Sequence, residues 1–125
     1  MNIFLWIVAG VLALFFLAAG ATKLSQSRRK LLSNPNMQWV EDFPAGTIKL
    51  IGAAEVLGAI GLILPALLGI APILTPLAAV GLAVIMLGAI VTHGRRKEYQ
   101  PIVINAVVLV LALVVAIFRF GPNSF

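Results

Sequence analysis

Glu55 is the one acidic residue, of four in the chain, that lies inside a long apolar run, about Pro44 to Leu64. Its neighbours in KLIGAAEVLGAIG (Lys49–Gly61) are unusually small: Gly52, Ala53, Ala54, Gly58, Ala59 and Gly61. A run of this length spans a bilayer as a helix, and at about 1.5 Å per residue the carboxyl falls near the midplane. An ionisable group there costs at least ~2.5 kcal/mol, so it must face protein or water and have a partner. Such a carboxylate can hold the polar end of an apolar ligand, carry a proton, or join helices as structural glue. The candidate companions are Lys23, Lys49, His93 and Asn105, all on one side of the membrane, with Gly52 leaving room beside Glu55. Together they would form a polar pocket opening toward the cytoplasm. On the structural alternative, Lys23 and His93 mark helix ends and Asn105 makes an interhelical hydrogen bond. Lys49 lies about 120° around the helix from Glu55 and ~9 Å nearer the cytoplasm, so its stem is expected to run to the interface. Lys23 and His93 are the expected contacts of Glu55, at a depth difference that a water would bridge.

Other chemistries lack parts. One histidine and no cysteine leave no zinc site of the usual kind, no second axial haem ligand and no thiol redox couple. No metal is expected, and no cofactor is certain. No glycine-rich loop precedes a helix in a phosphate-binding pattern. Ser25, Ser33 and Ser124 fall in loops or the tail with no matched base. The formal charge of +5 comes mostly from two loops without a nucleic-acid motif, so nucleic acid is not an expected partner.

The elements that must position these residues are legible from composition. The chain of 125 residues is 62% hydrophobic with a mean hydropathy of +1.11, where a soluble domain is ~45–50% apolar. Four apolar runs, at about 2–22, 44–64, 73–92 and 101–120, predict an all-α, four-helix transmembrane bundle forming a single domain over 1–125. Lys23, Arg28, Arg29, Lys30, Arg95, Arg96 and Lys97 fall in or beside two connecting loops, against Arg119 alone on the other side. That asymmetry predicts both termini on the extracytoplasmic side of a multi-pass protein in the inner (plasma) membrane. Ala19-Gly20-Ala21 looks like a signal-peptidase site, but the basic cluster follows the run instead of preceding it, so a retained helix is expected. Residues 23–43 read as an amphipathic piece at the membrane surface or an ordered loop. Glu41 and Asp42 suit the amino-terminal dipole of the second helix, and Pro65 to Pro72 read as a turn. Ala54-x-x-x-Gly58 permits close helix approach.

With the runs placed, the pattern resembles the DoxX-like family of small four-helix bacterial membrane proteins. GATKL (Gly20–Leu24), KLIGAAEVLGAIGLILP (Lys49–Pro65) and LGAIVTHGRRKE (Leu87–Glu98) carry the resemblance, with Gly52, Glu55 and Gly58 its most specific part. The resemblance implies a redox setting, such as a membrane oxidoreductase complex or quinone-linked sulfur oxidation, or a role as an assembly helper for other membrane proteins. The fold is also similar to sterol-isomerase-type bundles, which hold apolar ligands near an acidic residue. The leading expectation is a non-catalytic membrane subunit or helper attached to a redox or envelope complex. The alternative is a binder, or enzyme subunit, for an apolar small molecule such as a quinone or isoprenoid lipid beside Glu55; a proton-coupled transporter is third. The lipid bilayer and other membrane proteins are the expected partners, with oligomeric state left open.

Overall fold

A computed structural model describes residues 2–121 of the chain, apart from the side chain of Asn36. The tail expected on the extracytoplasmic side therefore lies, at 122–125, outside the described residues. Helix α1 spans Asn2–Ser25, α2 Arg28–Leu32, α3 Ala45–Leu68, α4 Leu74–Arg95 and α5 Tyr99–Phe120, with a 3-10 segment at Pro35–Asp42. The four long helices are each apolar enough to cross a bilayer. At 1.5 Å per residue, 22 to 24 residues give about 33–36 Å, enough for the ~30 Å hydrocarbon core. Their outward faces carry Leu50, Leu57, Val84 and Val107, all well exposed, as suits side chains that meet lipid tails. The protein is a multi-pass, all-helical membrane protein.

Lipid tails are as apolar as leucine, so association between these helices depends on close packing and interhelical hydrogen bonds. Helix α1 packs along α3 and α4 along α5; α3 against α4 joins the two pairs, and the α1–α5 contact is thinner. The α1–α3 crossing is closest at Gly20 and Gly52. A Cβ on Gly20 would sit 2.6 Å from the Gly52 carbonyl oxygen, and one on Gly52 would sit 2.9 Å from Lys23 Cβ. At the α3–α4 contact, a Cβ on Gly58 would strike Leu82 at 2.7 Å. Phe16, Leu12, Leu62, Leu82 and Ala112 fill the interior of the membrane portion.

Two ends are tied differently. At the end where α1 begins and α5 stops, Arg119 donates to Asn2 Oδ1 at 2.7 Å and lies 5.9 Å from the Trp6 ring, linking α5 to the start of α1. At the basic end, Leu31, Val40 and Ile48 form a second small core beneath residues 28–43. Residues 28–43 are thus an ordered, self-packed segment. Ser27 caps α2 by accepting from the Lys30 N–H at 3.1 Å. Arg28 fastens the segment's far end, with Nε donating to Phe43 O and Nη2 to Glu41 O, both at 3.0 Å.

The second membrane helix runs further than the sequence suggests. Pro65 is expected to open a turn, yet α3 continues through it to Leu68 and stops at Gly69, whose positive φ of 68° allows the left-handed cap. A proline has no N–H to donate four residues back, which orphans the Gly61 carbonyl. Buried Thr75 repairs this from α4: its Oγ1 donates to Gly61 O at 3.2 Å. Thr75→Val is expected to destabilise the bundle by about 1 kcal/mol. In a Pro65→Ala background, where a backbone donor returns, the same change is expected to cost measurably less. A double-mutant cycle from unfolding in mixed micelles checks this, and equal costs in both backgrounds would refute the stitch.

Candidate functional site

Helical side chains tilt toward their own N-terminus. Because α1 and α3 are antiparallel, Lys23 leans from the end of α1 into the membrane, while Glu55 leans back toward the basic end. The glycine crossing holds Lys23 level with Gly52, one turn from Glu55. The two therefore meet directly, Lys23 Nζ lying 2.8 Å from Glu55 Oε1, with the side chains 10% and 2% exposed. No intervening water is needed, in contrast to the expectation from depth alone. At this separation the ammonium and the carboxyl group are within charge-assisted hydrogen-bonding distance. The Trp39 ring stands 5.6 Å from the same ammonium, adding a cation–π contact away from bulk water.

Lys49 sits elsewhere. Its Nζ donates to the carbonyls of Lys23 (2.8 Å), Leu24 (2.8 Å) and Gln26 (2.6 Å). An ammonium at a helix C-terminus satisfies orphan carbonyls and the negative dipole end together. Lys49 thus fixes the end of α1, from which Lys23 projects, and does not face Glu55.

His93 also turns away from Glu55. Its Nδ1 is 2.9 Å from Glu98 Oε1, and its ring packs edge-on against Trp39 at 6.2 Å. Arg96 gathers the remaining acids. Its guanidinium lies 2.7 Å from Glu41 Oε1, 3.1 Å from Asp42 Oδ1 and 3.3 Å from Glu98 Oε2. This clasp binds the 3-10 segment to the loop between α4 and α5. The hydrogen bond to Glu41 holds the Arg96 guanidinium above its ordinary value. Burial alone would raise the Glu98 carboxyl, but hydrogen bonds from His93 and Arg96, with their charges, hold it below the usual carboxylate value.

Between the four long helices and under the 3-10 segment lies a half-enclosed cavity of about 640 Å³. Lys23, Glu55, His93 and Asn105 are on its wall. Lys49 and Gly52 are not, the one capping α1 and the other filling the helix crossing. The rest of the wall is mainly apolar: Phe15 and Ala19 from α1, Ile85 and Met86 from α4, Ile104 from α5, with Met37, Trp39 and Phe43 closing the basic end. Asn105 is 8% exposed, and among the described residues its Nδ2 has no hydrogen-bond partner. An unsatisfied amide of this kind costs about 1–3 kcal/mol. No cluster that could hold a metal ion occurs among the described residues.

Trp39 and Arg96 are residues of the site that the sequence alone does not single out. Trp39 falls within residues 23–43, which read as an amphipathic surface piece or an ordered loop. Arg96 counted only toward loop charge, because its partners Glu41 and Asp42 lie 55 and 54 residues away.

The arrangement defines a small four-helix membrane protein with a polar-edged interior cavity near one end. The profile of the DoxX-like family matches residues 7–115, and the chain belongs to that family. No curated protein and no solved structure matches it.

Two predictions follow from the charges. Lys23→Met and Glu55→Leu are each expected to lower stability by about 3 kcal/mol, since each strands a buried charge. The double variant should recover most of that loss. Unfolding in mixed micelles measures all three, and a double variant as unstable as the singles would show that pairing is not what matters. The clasp has its own pH range. With its folded pKa held below 4.5, Glu98 contributes stability above that value and loses it as pH falls through the folded pKa. Spin labels at Ser33→Cys and Lys97→Cys should give a narrow distance distribution from pH 7 to about 5 that broadens only below about 4.5. Arg96→Gln should broaden it throughout; a distribution insensitive to both acid and Arg96→Gln would dismiss the clasp.

Proposed function

We propose that this protein is a membrane-embedded binder of an apolar small molecule, an isoprenoid lipid or a quinone, held in the cavity beside Glu55. The cavity itself carries the reading. Its volume of about 640 Å³ falls within the ~300–1,000 Å³ usual for ligand sites. Its mainly apolar wall with a few convergent polar groups also has the composition of such sites. Bundle interiors are otherwise filled to crystal-like density, so a space of this size among four helices favours an occupant. A quinone fits the wall: the Asn105 amide would hold a carbonyl oxygen, and Trp39, Phe43 and Ile85 its ring and chain. When bound, such a group would supply electron transfer; the chain's own part is to seat it and keep bulk water out. The basic residues beside the 3-10 segment favour a cytoplasmic position for the closed, basic end of the cavity, with the opposite ends of α1 and α5 on the other side of the plasma membrane.

A polymer-extracted native nanodisc, analysed by mass spectrometry for lipids and proteins together, tests the proposal. One apolar compound should be enriched to near equimolar amount over bulk lipid. It should be lost in Gly88→Phe, which adds a ring on the cavity wall where a Cβ meets nothing within 4 Å. A native chain without such enrichment counts against the proposal. An equimolar partner protein retained in both chains would favour the helper-subunit reading.

A further inference from the structure

We infer that the guest of this cavity is an electrically neutral molecule carrying a hydrogen-bond acceptor, a carbonyl or ether oxygen, which is received by the side-chain amide of Asn105. The inference rests on reading the cavity as a ligand site and concerns the chemistry of what fills it. Asn105 is buried to within 8% of its surface, lies on the cavity wall, and leaves Nδ2 without a partner among the described residues. Buried polar groups are rarely left unpaired in native structures. At membrane depth no bulk water completes them, and a lipid tail offers no acceptor. The amide sits on α5 about 9 Å in from the start of the helix, on a wall it shares with Pro101 and Ile104 of its own helix and Met86 of α4. None of these neighbours offers a side-chain acceptor of ordinary strength.

The wall's ionisable and hydroxyl side chains are already engaged. Lys23 is paired with Glu55 at 2.8 Å, His93 Nδ1 lies 2.9 Å from Glu98 Oε1, and Thr92 Oγ1 donates to Gly88 O at 2.9 Å. A cationic guest would have to take Glu55 from Lys23, and an anionic guest Lys23 from Glu55. Either exchange strands a buried charge. An acceptor-bearing neutral guest disturbs neither partner and supplies what Asn105 lacks.

The chain has two tryptophans, and Trp39 is on the cavity wall. A Trp6→Phe background therefore leaves a single reporter. In phosphatidylcholine nanodiscs at pH 7, its fluorescence is followed against four probes built on the farnesyl chain: farnesylacetone, farnesene, farnesylamine and farnesoic acid. The ketone should bind about tenfold tighter than the hydrocarbon, with the charged amine and acid weaker than the ketone. In Asn105→Leu the ketone's advantage should vanish while the hydrocarbon still binds, which also shows that the variant is folded. Equal affinity for ketone and hydrocarbon in the parent chain would overturn the inference while leaving the cavity a ligand site. So would tightest binding by the amine or acid, or a ketone advantage that survives Asn105→Leu. A reporter unmoved by every probe, hydrocarbon included, would overturn the ligand-site reading itself and this inference with it.

Discussion

Two opposite charges sit together inside a bundle made for lipid, and much of the architecture around them answers that constraint. Neither Lys23 nor Glu55 is tolerable alone at this depth, because the low dielectric that strengthens their attraction also makes an unpaired charge expensive. Their meeting depends on the backbones of α1 and α3 touching at Gly20 and Gly52, where any side chain would push the helices apart. It depends also on the position of the end of α1, set by three hydrogen bonds from Lys49. Trp39 covers the ammonium from the loop side. A second lysine and an aromatic ring thus support the first lysine.

The same economy governs uncharged polar groups. Pro65 frees a carbonyl in α3, and Thr75 on the neighbouring helix supplies the missing donor. Thr22 and Thr92 return their hydroxyls to carbonyls one turn back in their own helices. Arg119 reaches Asn2 at the far end. Against this background the unpaired amide of Asn105 stands out, because it occurs where the packing leaves a space and not where packing is dense.

The membrane class, the four helices and the family were legible in the sequence because each rests on a property summed over many residues. Hydropathy over about twenty positions overrides local exceptions, and small residues around Glu55 mark a contact face whatever the partner. Boundaries were less legible. Pro65 is a strong local stop signal, and only a donor from another helix, Thr75, explains why α3 passes through it. Among candidate site residues, Glu55, Lys23, His93 and Asn105 reach one cavity wall, whereas Lys49 and Gly52 serve the helix crossing. The difference lies in side-chain direction. Residue spacing places Lys23 and Glu55 at different depths, but opposite tilts on antiparallel helices close that gap. The Arg96 clasp was hidden for another reason: it joins residues far apart in sequence, and its charges already had a sufficient explanation in topology.

The thin contact between α1 and α5 bears on how any guest of the cavity would be supplied. A molecule dissolved among lipid tails can reach a half-enclosed site between helices without passing through water. Occupancy then follows its mole fraction in the bilayer, and its competitors are the surrounding acyl chains. Partitioning concentrates such a solute before any contact with protein is made, at about 0.8 kcal/mol per buried methylene. Contacts inside the cavity need only distinguish the guest from lipid, and a single well-placed hydrogen bond is a large fraction of that difference.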